Sequence, residues 1–170
     1  IAPDAAVRTQ FTHVIDIGPT VLQAAGIPEP DFVDGIAQEP MDGTSFLYSF
    51  DDGSAPEQHT QQFFEMFGSR GMYKDGWWAA SRPERLPWDV SPATLAAFGP
   101  DADWDPDRDV GWELYDLTKD FSQAHDIAAD HPDKVLELQE LWWSEAERNR
   151  VLPLMGGLSV IYGVLPPMPT

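Results

Sequence analysis

The chain has 170 residues, enough for one domain or for one domain with part of another. Its 29 acidic residues outnumber its 10 basic ones, and a net charge of −19 repels phosphate backbones and anionic membrane surfaces. We therefore expect neither nucleic acid nor a membrane as a partner. The absence of cysteine excludes disulfides, thiolate nucleophiles and cysteine zinc sites, and it leaves the cellular compartment open.

The first predicted helix covers residues 17–25. Asp16 precedes it as a candidate N-cap, Pro19 suits its first turn, and Gly26 can end it in the left-handed conformation. Nothing beside this helix in the sequence completes a domain. We therefore expect residues 1–55 to be the end of a larger α/β domain whose fold begins upstream of Ile1.

A loop is predicted for residues 28–44, which are rich in proline and glycine, and residues 45–50 fit either a short helix or a short strand. Three strands follow at 60–67, 70–74 and 77–81. Gly68-Ser69 and Asp75-Gly76 separate them, and Asp-Gly is a strong hairpin signal. The pattern predicts an antiparallel meander.

The last two predicted elements lie beyond a long loop at 82–110. The stretch WELYDL from Trp112 to Leu117 alternates as a fourth strand, and it leads through an Asp-rich turn into a helix that ends near Arg148. Asp130 is the predicted cap of that helix, and Pro132 suits its first turn. Its apolar positions recur with a period of 3.6 residues, at Val135, Leu138, Leu141, Trp142 and Ala146.

These elements predict an α+β fold, a four-stranded antiparallel sheet with a packed C-terminal helix. The small domain would cover residues 56–153 and include the 82–110 loop. Residues 154–170 form an apolar tail rich in glycine and proline, shorter than the roughly 20 apolar residues that a membrane span needs.

Few residue patterns point to chemistry within this chain. The stretch SRPER at 81–85 fits Ser-x-Pro-x-Arg, but three fixed residues are weak evidence. The stretch DADWDPDRD at 101–109 resembles a calcium loop, yet Pro106 and Trp112 stand where an EF-hand needs glycine and glutamate. No two histidines have metal-ligand spacing, although His59 precedes the first strand of the sheet and could reach a neighbouring site. The sequence therefore predicts a domain without its own catalytic centre.

Three stretches, in the same order, resemble type I sulfatases of the bacterial arylsulfatase kind. They are DIGPTVLQAAGI at 16–27, FEMFGSRGMYKDGW at 64–77, and WELYDL at 112–117 with the following DIA at 126–128. The resemblance implies that the chain is the C-terminal region of such an enzyme, following an alkaline-phosphatase-like α/β domain. In that family, the upstream domain carries a divalent cation, usually calcium, and a formylglycine made from Cys or Ser in a Cys/Ser-x-Pro-x-Arg motif.

The resemblance carries no catalytic or metal-binding residue over to this chain, because those of the family precede the DIGPT helix. SRPER lies after the third strand and lacks the Thr-Gly that usually follows the motif. The expected partners are the upstream catalytic domain and a small sulfate ester. His59, Trp88 and Trp104 are the candidates for the rim of the substrate pocket. The alternative is an autonomous acidic binding domain without catalysis, which the net charge and the aromatic-rich loop also allow.

Overall fold

The computed structural model describes residues 7–66, 68–81, 91–93 and 111–152. The chain divides into two compact units, Ile1–Gln62 and Phe63–Thr170. The predicted long loop falls almost wholly outside the described residues, as does the predicted tail. Within the described ranges, no helix has the length and apolar character needed to cross a membrane.

The first unit is built around one short helix. A 3-10 turn at Val14–Asp16 leads directly into α1, Ile17–Ala25, which has the predicted bounds. Gly26 ends α1 with a φ of 67°, as predicted, because glycine adopts the left-handed conformation without a Cβ penalty. A second 3-10 turn, Leu47–Phe50, occupies the stretch that fitted either a helix or a strand.

The predicted loop at 28–44 contains a small hairpin that the sequence reading missed. Strand β1, Phe32–Val33, pairs antiparallel with β2, Ile36–Ala37. Asp34 and Gly35 connect them with φ angles of 51° and 80°, which fit the two-residue hairpin turn that Asp-Gly favours. The Asp-Gly pair was the available signal, and the flanking prolines obscured it.

The second unit contains the predicted meander. Its sheet has the order β3-β4-β5-β6, with β3 at Gln61–Met66, β4 at Ser69–Lys74, β5 at Trp77–Ser81 and β6 at Glu113–Asp116. Asp75 and Gly76 form the β4–β5 turn with φ angles of 49° and 82°. The predicted antiparallel α+β fold is confirmed.

Helix α2, Pro132–Arg148, lies on one face of this sheet. Met72, Ala79 and Leu114 stand opposite one another on β4, β5 and β6 and form a row across the sheet. Leu138, Trp142 and Ala146, spaced four residues apart, pack against that row, and all six residues are fully buried. The 3.6-residue period of the apolar positions in the sequence had predicted this buried face of α2.

The predicted cap of α2 is wrong by one residue. His131 occupies the N-cap position, and its side chain makes no capping hydrogen bond. The Asp130 amide donates to the Ile127 carbonyl, so Asp130 belongs to the preceding turn. Pro132 lies at the start of the helix as predicted. Its missing N–H costs no hydrogen bond there, because the first amides of a helix have no intrahelical acceptor.

Candidate functional site

The Asp16 carboxylate is the most enclosed charged group among the described residues. It is 0% exposed and accepts hydrogen bonds at 2.8 Å from the His13 amide, the Thr44 amide and the His59 Nδ1. Asp16 occupies the N-cap position of α1, as predicted, but its side chain makes no capping hydrogen bond to that helix. The 3-10 turn before α1 directs the carboxylate backwards and inwards instead.

His59 is held by that carboxylate. Its Nδ1 lies 2.8 Å from both Asp16 oxygens, and its ring meets Phe11 edge-on at 5.2 Å between centroids. The ring is only 7% exposed. A carboxylate at Nδ1 fixes the ring orientation and directs the Nε2 nitrogen to the other side. The structure thus makes His59 part of a buried pair, and its contact with substrate stays a prediction.

A second set of bonds closes the surroundings of the Asp16–His59 pair. Thr20 Oγ1 donates to the Asp16 carbonyl at 2.6 Å and accepts from the Phe46 amide at 3.0 Å. Gly43 lies so close to the backbone of Ile15 that a Cβ there would overlap the Ile15 carbonyl. The segment 43–46 is therefore fastened to the start of α1 by side chains that the DIGPT motif supplies.

The chain before this turn is fastened to the segment after it in the same way. Arg8 Nε donates to the Ser49 carbonyl at 2.6 Å, and Gln10 Nε2 donates to the carbonyls of Gly53 and Ala55. Long polar side chains here satisfy main-chain acceptors of a turn region, which would otherwise lack partners. These hydrogen bonds connect two segments of the chain that are about 40 residues apart in sequence.

In the second unit, Arg70 lies inside a group of tryptophans. Its guanidinium carbon is 5.0 Å from the ring centre of Trp112 and 5.7 Å from those of Trp142 and Trp143. The side chain is buried and also donates from Nη2 to the Ser81 hydroxyl at 3.0 Å. A planar guanidinium suits this environment because it stacks on aromatic faces and is weakly hydrated.

We expect Arg70→Lys to lower the free energy of unfolding by about 1–2 kcal/mol, because an ammonium keeps the charge but cannot stack on the rings. Urea denaturation followed by tryptophan fluorescence measures it. The matched control is Arg148→Lys on the exposed side of α2, which should stay within about 0.5 kcal/mol of the parent. Equal losses in the two variants would contradict the stacking role.

The turn between β6 and α2 is shaped by aspartates, as expected for an Asp-containing turn. Asp126 Oδ1 accepts from the amides of Leu114 and Ala128, each at 2.9 Å, and so joins the strand to the helix entrance. The His125 amide, followed by that of Ala124, lowers the pKa of Asp120 by hydrogen bonding. Backbone amides thus hold both carboxylates, and at Asp120 they stabilise the charged form.

The remaining carboxyl and phenol groups of β6 are also paired within the strand and its turn. Lys119 above all, and then Thr118, lower the pKa of Asp116 through hydrogen bonds. Burial raises the pKa of Tyr115 to about 12, and its hydroxyl donates to Glu113 Oε2 at 2.9 Å. The lowered pKa favours the charged form of Asp116, and the raised pKa favours the neutral form of Tyr115.

A metal site has no support among the described residues. They contain no group of three or more histidine or acidic side chains placed to hold an ion. The resemblance places the calcium of the family in the upstream domain, and that expectation stays a prediction. The Asp-rich stretch 101–109, SRPER beyond Ser81, and the rim candidates Trp88 and Trp104 lie outside the described residues.

Sequence patterns did not predict the burial of the two most enclosed charged side chains among the described residues, Asp16 and Arg70. Asp16 was placed correctly at the start of a helix, but its partners Thr44 and His59 are 28 and 43 residues away. Arg70 stood in a recognised strand, and no local spacing indicated the three tryptophans around it. For Asp16, an acidic residue within a run of apolar ones was the available hint.

Comparison with known proteins agrees with the motifs. No family model matches the chain. An uncharacterized sulfatase of Schizosaccharomyces pombe is 28% identical over 144 residues, which are 84% of this chain and 22% of that protein. The chain therefore spans about a fifth of the length of this curated relative.

A solved structure shares the fold at low sequence identity. The structure named Ps i-CgsB matches with a TM-score of 0.53 and 14% identity, over 94% of this chain and 30% of its own. A Bacteroides thetaiotaomicron structure, reported with that organism's metabolism of multiple glycosaminoglycans, has a TM-score of 0.48 and 19% identity over 76% of this chain and 24% of its own. Taken with the three ordered motifs, this sequence similarity confirms the predicted resemblance to sulfatases.

Proposed function

We propose that this chain is the C-terminal portion of an arylsulfatase-like sulfuric ester hydrolase, with the catalytic centre upstream of it. In this proposal the chain completes the fold of the enzyme, and His59, Trp88 and Trp104 rim the substrate pocket. The observation that carries the proposal is the similarity to a sulfatase over 84% of this chain and only 22% of that protein.

The contacts of the motif residues support a structural role for this chain in the enzyme. Asp16 and Thr20 of the DIGPT stretch fasten the segment 43–46 to α1. Leu114 of the ELYDL stretch belongs to the buried core between the sheet and α2, and Asp126 joins β6 to the turn before α2. The resemblance is thus carried by residues with architectural contacts, as expected of a region that supports a reaction performed elsewhere.

The upstream domain would supply the chemistry. A formylglycine there would provide the nucleophile toward sulfur, and a calcium ion with basic residues would stabilise the charge on the sulfate oxygens. The residues of this chain would contribute positioning, through the fixed ring of His59, and exclusion of water by the aromatic candidates Trp88 and Trp104. A small sulfate ester is the proposed substrate class.

An activity assay tests where the chemistry lies. The 170-residue chain is incubated with a chromogenic aryl sulfate and calcium, beside the protein expressed from the complete reading frame. We expect turnover only from the longer protein, and loss of that turnover when the Cys or Ser of its Cys/Ser-x-Pro-x-Arg motif is replaced by alanine. Robust calcium-dependent turnover by the 170-residue chain would contradict an upstream catalytic centre.

The alternative of an autonomous acidic binding domain is favoured by the net charge of −19 and by the aromatic-rich loop at 82–110. The coding sequence before Ile1 separates the two functions. A continuous frame that includes a Cys/Ser-x-Pro-x-Arg motif supports the hydrolase, whereas a start codon or a signal cleavage site at that point supports the autonomous domain.

A further inference from the structure

Helix α1 has exposed apolar side chains on one side, whereas its N-cap residue Asp16 and the polar Thr20 are buried. Asp16 at its start and Thr20 in its second turn are buried, while Ile17 and Val21 are 53% and 59% exposed. A helix on the surface of a finished domain shows the reverse pattern, and a helix that is apolar almost all round belongs in the interior of a larger protein. The pattern therefore points to missing cover over α1.

The orientation of α1 cannot simply be reversed to hide these residues. Asp16 and Thr20 are engaged with Thr44, His59 and Phe46, so rotation would leave buried amides without acceptors. Val14, Ile17 and Val21 follow a spacing of three and four residues and share one side of the turn and helix. Ile27, just past the helix end, is also exposed.

The β1–β2 hairpin has the same character. All four of its strand residues are exposed, namely Phe32, Val33, Ile36 and Ala37. Since neighbouring residues of a strand point to opposite faces, both faces of the hairpin are apolar and uncovered. An isolated two-stranded hairpin is at best marginally stable in water, so this one is expected to gain its stability from a covering element.

The charges around these residues specify what the covering element carries. Five acidic residues lie between Glu29 and Asp42, and the sequence has no lysine or arginine between Arg8 and Arg70. Two copies of the chain meeting here would bring like charges together, which disfavours self-association. The complementary surface is apolar at its centre with lysine or arginine at its edge.

We propose that Val14, Ile17, Val21, Ile27 and the β1–β2 hairpin form the surface on which the upstream polypeptide of the longer protein packs. This inference rests on the proposed function, since it takes the chain to be part of a longer enzyme. The size of the sulfatase relative, of which the chain spans 22%, leaves about four fifths of such a protein to provide the apolar element. These residues together are termed the docking face.

Site-specific photo-cross-linking tests the docking face in the protein expressed from the complete reading frame. Val21 is replaced by p-benzoylphenylalanine, and the cross-linked peptides are identified by mass spectrometry. We expect peptides from the polypeptide that precedes Ile1. The control is the same replacement at Phe121, which is 85% exposed in the second unit and lies outside the docking face. It should not capture the peptides that position 21 captures. Capture of a second copy, capture only within residues 1–170, or a reading frame that begins at Ile1 would overturn the proposal.

A charge substitution gives a second readout that does not depend on cross-linking. Val21→Asp should lower the unfolding temperature of the longer protein by several degrees, because it places a carboxylate in a buried interface. In the 170-residue chain the same change should leave the unfolding temperature unaltered and reduce the binding of a hydrophobic dye. Phe121→Asp is the control and should be neutral in the longer protein; equal effects of both substitutions there would overturn the proposal.

The two proposals can fail separately. A longer protein that is inactive on aryl sulfates but cross-links from position 21 to upstream peptides would remove the proposed reaction and keep the docking face. An active longer protein without such cross-links would remove the docking face and keep the reaction.

Discussion

Trp142→Ala is expected to lower the free energy of unfolding by about 3–5 kcal/mol. Trp142 is fully buried between α2 and the sheet, packs on Phe63 at 5.1 Å between ring centroids, and donates its indole N–H to the Phe64 carbonyl at 2.9 Å. The substitution leaves a cavity, an acceptor without its donor, and an Arg70 without one of its aromatic neighbours. Urea denaturation followed by circular dichroism measures the loss without relying on the deleted fluorophore.

The control for this prediction lies on the same helix. Leu136 is half exposed, and Leu136→Ala keeps the helix propensity while removing a side chain that the core does not use. We expect a change within about 0.5 kcal/mol. If Leu136→Ala costs as much as Trp142→Ala, the stability of α2 comes from the helix as a whole and not from the packing of its inner face.

Asp16→Ala is expected to cost on the order of 3–5 kcal/mol in the first unit. The change removes the acceptor of two backbone amides and of His59 Nδ1 in a place without water access. All seven tryptophans lie at or beyond Trp77, so fluorescence reports the second unit and does not follow this loss. Hydrogen exchange of the His13 and Thr44 amides measures the loss of stability in the first unit directly, and both amides should exchange faster in the variant.

A double-mutant cycle with His59→Gln separates the Asp16–His59 hydrogen bond from the bonds to the backbone amides. We expect a coupling of about 0.5–3 kcal/mol between positions 16 and 59, since each side chain loses its partner when the other is changed. Asp31→Ala, at an exposed position of the same unit, is the control and should leave both amides protected. Additive losses at 16 and 59 would show that Asp16 acts through the backbone amides alone.

Much of the fold could be predicted from local pattern. The bounds of α1, the end of α2 at Arg148 and the Asp75-Gly76 hairpin follow from glycine and proline positions and from the 3.6-residue period. Each of these signals is carried by residues within one or two turns of one another. The bonding of the caps was not predictable: Asp16 is the N-cap of α1 without a capping bond, and the N-cap of α2 is His131 rather than Asp130. A carboxylate near a helix start has several possible donors, and the local sequence does not rank them.

The candidate site was predictable only in part. His59 was singled out by its place before the sheet, yet its partner was not, and the rim candidates Trp88 and Trp104 lie beyond the described residues. The apolar composition of Ile17–Ala25 indicates that α1 has an apolar side. Which side of α1 is exposed depends on the hydrogen bonds that the Thr44 and Phe46 amides donate to Asp16 and Thr20. Those attachments are contacts between distant parts of the chain.

The sequence by itself determined the secondary elements, the antiparallel α+β arrangement and the sulfatase resemblance, because each depends on short-range spacing or on ordered motifs. Only the tertiary structure decided that Asp16 is buried with His59, that Arg70 lies among three tryptophans and that α1 carries its apolar residues outward. The physical reason is the same in all three cases. Burial of a charge or exposure of an apolar side chain depends on partners tens of residues away, which no local period encodes.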